Sequence, residues 1–185
     1  MQFSPARPDV VRAISQRWLL TFWTRQLGDH RVPCWQAVET ENLSRMSSNL
    51  SFLDVLEGDR GLRFQIRFHG AFVGVVYGAP DCRGKFLYES QPDDVRLQAH
   101  APYLRAVETG RPVYTIHDVT DRQGRLVHYE RLLLPFSRDG EKVDRILASF
   151  EFVCEDGAFE ANALMTNQPM PPALRLSATI APPPA

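Results

Sequence analysis

Five histidines and three cysteines are the side chains of this 185-residue sequence best suited to metal or nucleophilic chemistry, and their spacing gives them little to do. Cys34, Cys82 and Cys154 are odd in number and never stand in a C-x-x-C spacing, so neither a disulfide framework nor a zinc knuckle can be built from them, and they are read as free thiols. His30, His69, His117 and His128 never fall at metal-ligand spacing. His117 and His128 are expected to face each other across a hairpin closed by Asp121-Arg-Gln-Gly124. Such a pair repels once both rings charge near about pH 6 to 7, and zinc would need two further ligands. No G-x-S-x-G elbow, P-loop or G-x-G-x-x-G is present, and the three glycines of Gly70 to Gly78 come without the lysine of a phosphate loop. Spacing therefore nominates no catalytic residue and no metal site.

Composition narrows the remaining roles. With 21 Lys plus Arg against 22 Asp plus Glu, the net charge of −1 provides no long-range field for nucleic acid or an anionic membrane. The longest apolar run, Ala71 to Tyr77, falls far short of the roughly 18 residues a membrane span requires. The opening Met1-Gln-Phe-Ser-Pro-Ala-Arg-Pro has neither the basic nor the apolar region of a secretory signal, so a cytoplasmic location is expected.

The elements that must position any site follow from periodicity. Val10 to Leu27 carries Val11, Ile14, Trp18 and Phe22 at helical steps, flanked by Leu19 and Trp23, with Pro8-Asp9 as a start and Gly28 as a stop. This amphipathic helix either covers the domain's own sheet or meets the same helix of a second subunit. Leu50–Leu56 and Leu62–Phe68 form a hairpin, the second strand alternating strictly, with Leu62, Phe64, Ile66 and Phe68 on one face. Between flanking glycines, Ala71–Tyr77 reads as a short crossing helix. Asp93–Thr109 reads as a longer one, kinked or broken at Pro102. Val113–Thr120, Arg125–Phe136 and Lys142–Cys154 complete an antiparallel meander. The expectation is an α+β domain with a five-stranded antiparallel sheet, short helices on one face and an N-terminal amphipathic helix. Residues 1–28 form that helix and 29–156 the domain. Residues 157–185, which hold six of the fourteen prolines, form a disordered or extended tail.

The order of these elements resembles the PAS sensor domain, and more specifically the PAS family of short standalone alphaproteobacterial proteins. The resemblance rests on Phe22-Trp23 with Gly28 and Pro33, on Ser51-Phe-Leu-Asp-Val55, and on Arg67-Phe-His-Gly70 with Tyr77-Gly78 and Gly84. It rests also on Tyr129-Glu-Arg-Leu-Leu-Leu-Pro-Phe-Ser137, then Asp139-Gly140, Val143-Asp144 and Ile146-Leu147. These pieces run collinearly from Arg17 to Val153.

The resemblance implies a non-catalytic sensory and signalling module that holds a small ligand between sheet and helices and signals by contact with an unidentified partner protein. The alternative it implies is a ligand-free dimerising adaptor. A heme would need an axial imidazole, and His100, beside Gln98 and Ala99, is read as solvent-facing. A flavin photoadduct would need the asparagine-cysteine-arginine pattern, of which Asp81-Cys-Arg83 keeps only the last two. No cofactor is expected, while a small organic ligand fits. Its wall residues are expected to be Phe68, Phe72, Tyr77, Phe86, Tyr103, Tyr129, Arg131 and Phe150, with Arg131 able to meet a carboxylate or phosphate bidentately. The competing reading has Arg131 paired with Glu130 or Glu151 and the rings filling the core. A homodimer is expected through Trp18, Phe22 and Trp23 of the first helix.

Overall fold

The computed structural model describes residues 1–59, 61–79, 81–87, 93–168 and 171–181. In chain order the elements are β1 (Ser4–Ala6), α1 (Ile14–Leu27), α2 (Gln36–Thr40), β2 (Leu50–Gly58), β3 (Gly61–His69), α3 (Ala71–Tyr77), α4 (Asp93–Thr109), β4 (Val113–Thr120), β5 (Leu126–Phe136), β6 (Arg145–Cys154) and β7 (Ala173–Ile180). Among the described residues the strands form one sheet in the order β1-β7-β4-β5-β6-β2-β3. Every neighbouring pair is antiparallel except β1 with β7.

The five expected strands are the contiguous run β4-β5-β6-β2-β3, but the sheet has seven, and the fold does not end near Asp156. β7 comes from the segment expected to be a tail, and its pairing with β4 runs from Val113↔Thr179 to Asp118↔Ala173. The physical reason is the state of β4. Val113, Tyr114, Thr115 and Ile116 are buried on both faces, so an unpaired edge there would leave backbone donors and acceptors without partners in an apolar setting. Leu176, Ala178 and Ile180 carry the alternation that fits this edge, and a register slip beyond Leu176 sets the exposed Leu174 opposite His117. Pro169 and Pro182 to Pro184 lie outside the described residues.

Helices cover both faces of the sheet, not one. On the inner face α3 and α4 pack through Val73, Val76, Tyr103 and Ala106 on Leu53, Phe64, Val113, Tyr129, Leu133 and Phe150. On the outer face Leu19, Leu20, Phe22 and Trp23 of α1 pack on Tyr114, Ile116, Leu132, Leu134, Phe136 and Leu147. The indole Nε1 of Trp23 donates to the carbonyl of Pro135 at 2.6 Å, and the amide of Gln16 donates to the carbonyl of Ser149 at 3.1 Å. Phe22 and Trp23 are thus consumed by their own sheet, 7% and 1% exposed, and are not free to meet a second subunit. Of the three residues expected at a dimer contact, only Trp18, 43% exposed, reaches the surface, joined by Ile14 at 79%.

Two local departures decide where side chains point. In β2–β3 the register slips between Phe52 and Leu53, so that Phe52 opposes Phe68 and Leu53 opposes Ile66. This bulge breaks the alternation of β3 and moves Phe68 to the outer face, where its ring lies 5.0 Å from that of Phe52. In the β4–β5 turn Gly124 adopts φ +80°, and Asp121 N–H donates to the carbonyl of Arg125. The loop is therefore one residue longer than Asp121–Gly124, and His117 opposes Tyr129 while Asp118 opposes His128. α4 continues through Pro102 without a break. No helix among the described residues is long and apolar enough to cross a membrane.

Candidate functional site

Three neighbouring strands place a small array of side chains on the inner face. Register pairs Thr115 of β4 with Arg131 of β5, and Arg131 with Phe150 of β6. One step along, His117 pairs with Tyr129 and Tyr129 with Phe152. Residues two apart in a strand share a face, so these six lie side by side beneath the helices. Tyr129 is the hub: its ring stacks on Phe152 at 5.0 Å, His117 at 5.9 Å and Phe150 at 6.1 Å. From α3, the hydroxyl of Tyr77 meets that of Tyr129 at 2.9 Å. From α4, the ring of Tyr103 lies 5.0 Å from the guanidinium carbon of Arg131, within cation–π range.

The polar members of the array are deeply placed. Arg131 is 4% exposed and Thr115 is fully buried. The Thr115 hydroxyl and His117 Nδ1 are buried with no hydrogen-bond partner among the described residues. Such groups are costly to bury unless something pairs with them. Burial, reinforced by the Arg131 charge, pushes the His117 imidazole down to about 4, so it is neutral at pH 7. The arrangement places a guanidinium, a hydroxyl and a neutral imidazole among aromatic walls, a set of groups that suits holding a small polar group.

Of the eight expected wall residues, Tyr77, Tyr103, Tyr129, Arg131 and Phe150 come together in this layer. Phe72 stands at its margin, its ring edge-on to Phe152 at 5.9 Å. Phe68 is on the outer face, as described above. Phe86 lies along the outer edge of β3, bridging to Gln65, with the Arg63 guanidinium 3.4 Å over its ring. Its place outside the layer follows from the backbone pairing of the loop residues Gly84 to Leu87 along β3. The reading of Arg131 paired with Glu130 or Glu151 fails because both carboxylates lie on the outer face. Glu130 accepts from the Tyr114 hydroxyl at 2.6 Å and Glu151 from the Ser15 hydroxyl at 2.5 Å. Burial and the Glu130 carboxylate raise the Tyr114 phenol well above its ordinary range.

Thr115 and His117 were the residues sequence reasoning missed here. The alternation of β4 is legible, but the one-residue error in the turn set His117 against His128 instead of Tyr129. His128 is on the outer face, its Nδ1 2.9 Å from Asp118 and its Nε2 3.6 Å from Glu155. His100 is half-buried instead of solvent-facing, with Nε2 3.1 Å from the carbonyl of Leu87 and its ring edge-on to Phe64 at 5.3 Å. Asp81 and Arg83 form a surface ion pair at 3.0 Å, and the Arg83 hydrogen bonds hold the Asp81 carboxyl down at about 2. The three cysteines are free thiols, and no three His, Cys, Asp or Glu side chains come together to hold a metal among the described residues. A surface cleft of about 460 Å³ is lined by Ser47, Ser48, Phe68, His69, Ala71, Asp81 and Arg83, and the His69 ring lies 6.5 Å from that of Tyr77.

No curated protein matches the chain. A family model described as the PAS domain does match it, over residues 11–151, from the approach to α1 through the strand that carries Phe150. That span contains the five-stranded run up to Glu151 of β6, the helices on its inner face and the whole Tyr129 and Arg131 array except Phe152, and on this match the chain belongs to the PAS domain family.

Proposed function

We propose that this PAS domain is a non-catalytic sensory and signalling module that takes a small organic anion, carrying a carboxylate or phosphate, into the inner layer at Arg131. It passes its state on by protein–protein contact. The observation that carries this reading is the buried Arg131 standing beside two polar groups, the Thr115 hydroxyl and His117 Nδ1, that have no hydrogen-bond partner among the described residues. A guanidinium presents paired donors to an oxyanion, a hydroxyl and a neutral imidazole add further bonds, and the Tyr103, Tyr129 and Phe150 rings cover an apolar body.

The test is direct. The purified protein is denatured and the supernatant searched by mass spectrometry for a released small molecule, and the folded protein is screened by thermal shift against a panel of carboxylates and phosphate esters. A guest is expected to raise the melting temperature by several degrees in the parent and not in Arg131→Gln. An empty protein that nothing in the panel stabilises would overturn the reading.

A second reading, a ligand-free adaptor that dimerises through α1, is favoured by one feature. Ile14 and Trp18 stand one turn apart with large apolar areas exposed, and Trp18 stacks on Phe22 at 5.9 Å. Glutamate at both Ile14 and Trp18 is expected to give a folded monomer by light scattering. A parent that is already monomeric, or a variant that stays dimeric, rejects it.

A further inference from the structure

The segment after β6 lies beyond the matched span, yet it is fastened to three parts of the domain. Phe159 sets its ring 6.4 Å from that of Phe152. Glu160 N–H donates to the Asp121 carboxylate at 3.0 Å, which also accepts from Gln123 N–H, Arg125 N–H and the Arg125 side chain in the β4–β5 turn. Ala163 and Met165 donate their N–H groups to the carbonyls of Val75 and Val76, both at 2.8 Å, at the open C-terminal end of α3. Between them Leu164 is plugged into the inner-face core, 3% exposed. Ala163 itself sits at φ +54°, a left-handed conformation that a side chain disfavours. The Gln168 amide then brackets the backbone of Thr120 on both its N–H and its carbonyl at 2.9 Å, and the chain continues to β7 on the edge of β4.

β7 is held less by buried side chains than β4, β5 and β6 are, and in this it resembles the other outer strand, β3. The side chains of β7 are mostly exposed or half-exposed, only Ala178 and Ile180 being buried, and Leu176 packs partly covered on the outer cluster. Its remaining side-chain ties are a surface pair of Arg175 with Asp118, a hydrogen bond from Arg105 to the Thr179 hydroxyl at 3.2 Å, and one from the Ser177 hydroxyl to the Gln2 carbonyl. The bulk of its attachment is therefore main-chain pairing, with Val113–Asp118 of β4 on one side and with Ser4–Ala6 of the short β1 on the other, and the β4 side is pairing that any extended strand with suitable alternation supplies equally well. β4 is the opposite case: its residues Val113 to Ile116 are buried on both faces and leave an adhesive edge whenever β7 departs.

We propose that the edge of β4 now covered by β7 is the docking edge of this module for an extended strand of another protein, and that the described residues 158–168 and 171–181 act as a strap that occupies the edge as a built-in competitor. β7 shows what the edge accepts. The partner strand carries small or apolar residues at the alternate places of Leu176, Ala178 and Ile180, facing Tyr114 and Ile116. It carries a basic residue where Arg175 now meets Asp118, because that carboxylate, 9% exposed, would otherwise lose its guanidinium partner when the strap leaves. Leu164 and the Val75 and Val76 carbonyls are the latch that sets how easily the strap lifts. This inference needs no ligand at Arg131 and stands or falls separately from the reading above.

The probe is a fluorescein-labelled synthetic peptide with the sequence of Pro172–Ala181, titrated by anisotropy against three full-length chains: the parent, Arg175→Glu and Leu164→Glu. Arg175→Glu sets a carboxylate against Asp118 at a surface site, and Leu164→Glu places a charge that cannot remain in the core. Both variants are expected to bind the peptide about tenfold more tightly than the parent, and a peptide in which Arg175 is replaced by Glu is expected to lose that gain. Amide exchange is expected to rise about tenfold at the β4 residues facing β7, with β5 and β6 still protected. No gain in peptide affinity in either variant overturns the proposal, as does simultaneous loss of protection in β4, β5 and β6 in both, which would make the strap part of one cooperative core. If the released chains instead pair with each other as dimers by light scattering and exclude the peptide, the occupant is a second copy and the foreign-strand proposal fails.

Discussion

The hydroxyls of Tyr77 on α3 and Tyr129 on β5 meet at 2.9 Å, so the helical layer and the sheet are bonded to each other at the centre of the inner face. Tyr129 simultaneously stacks on the Phe150, Phe152 and His117 rings of the two neighbouring strands, which ties this one contact to three strands at once.

That pairing predicts a particular pattern of mutant energies. Tyr77→Phe and Tyr129→Phe are each expected to cost about 1 kcal/mol, since each leaves the opposite hydroxyl short of one partner in a part-buried site. The double variant is expected to cost less than the two singles added together, because no hydroxyl is then left behind. Urea denaturation of the four proteins closes this cycle, and strict additivity would show that the two groups are not coupled.

His117 predicts a loss of stability on acidification. Its pKa falls from 6.5 to about 4 on folding, because burial and the nearby Arg131 charge disfavour the imidazolium. Between those values the unfolded chain binds a proton that the native one does not. The contribution is whole above about pH 6.5 and is lost progressively as pH falls toward 4, by roughly 3 kcal/mol in all. Carboxylates such as Asp139, held at about 2 by the N–H of Glu141 and the Ser137 hydroxyl, add losses only lower down. The difference in unfolding free energy between pH 7 and pH 4.5 is therefore expected to shrink in His117→Gln relative to the parent, as read from urea titrations at the two pH values.

The two tryptophans of α1 are expected to behave oppositely. Trp23 is 1% exposed and its indole donates to Pro135, so Trp23→Ala is expected to cost about 3 to 5 kcal/mol in chemical denaturation. Trp18 is 43% exposed, and its replacement by alanine is expected to cost less than about 1 kcal/mol to a monomer. Equal costs would contradict the placement of α1 on its own sheet.

The order of the five strands was legible because strict alternation marks β3 and runs of β-prone residues between glycine-bearing turns mark the others, and α1 and α3 announced themselves by periodicity and flanking glycines. Gly70 illustrates a residue whose presence the sequence displays and whose cause only the fold supplies: a Cβ there would lie 2.3 Å from the carbonyl oxygens of Ser47 and Ser48. What stayed hidden were single-residue events. One extra residue in the turn after Thr120 moved His117 under the helices, and one bulge at Phe52 and Leu53 carried Phe68 out of the expected wall. A period of two converts any such slip into a change of face, so five wall residues were found and Thr115 and His117 were not. β7 was hidden for another reason. Its alternating Leu-x-Leu-x-Ala-x-Ile stands among prolines, and a compositional reading of the whole segment averaged the strand away.

The parallel pairing of β1 with β7 sets Ser4 beside Ala178 and Ala6 beside Ile180. A pull on the two ends of the chain would draw these strands past each other along their length instead of peeling them apart. Their hydrogen bonds would then be loaded together, in shear. The first and last strands form a small mechanical clamp, and tension would have to break it before it could reach the β4 edge.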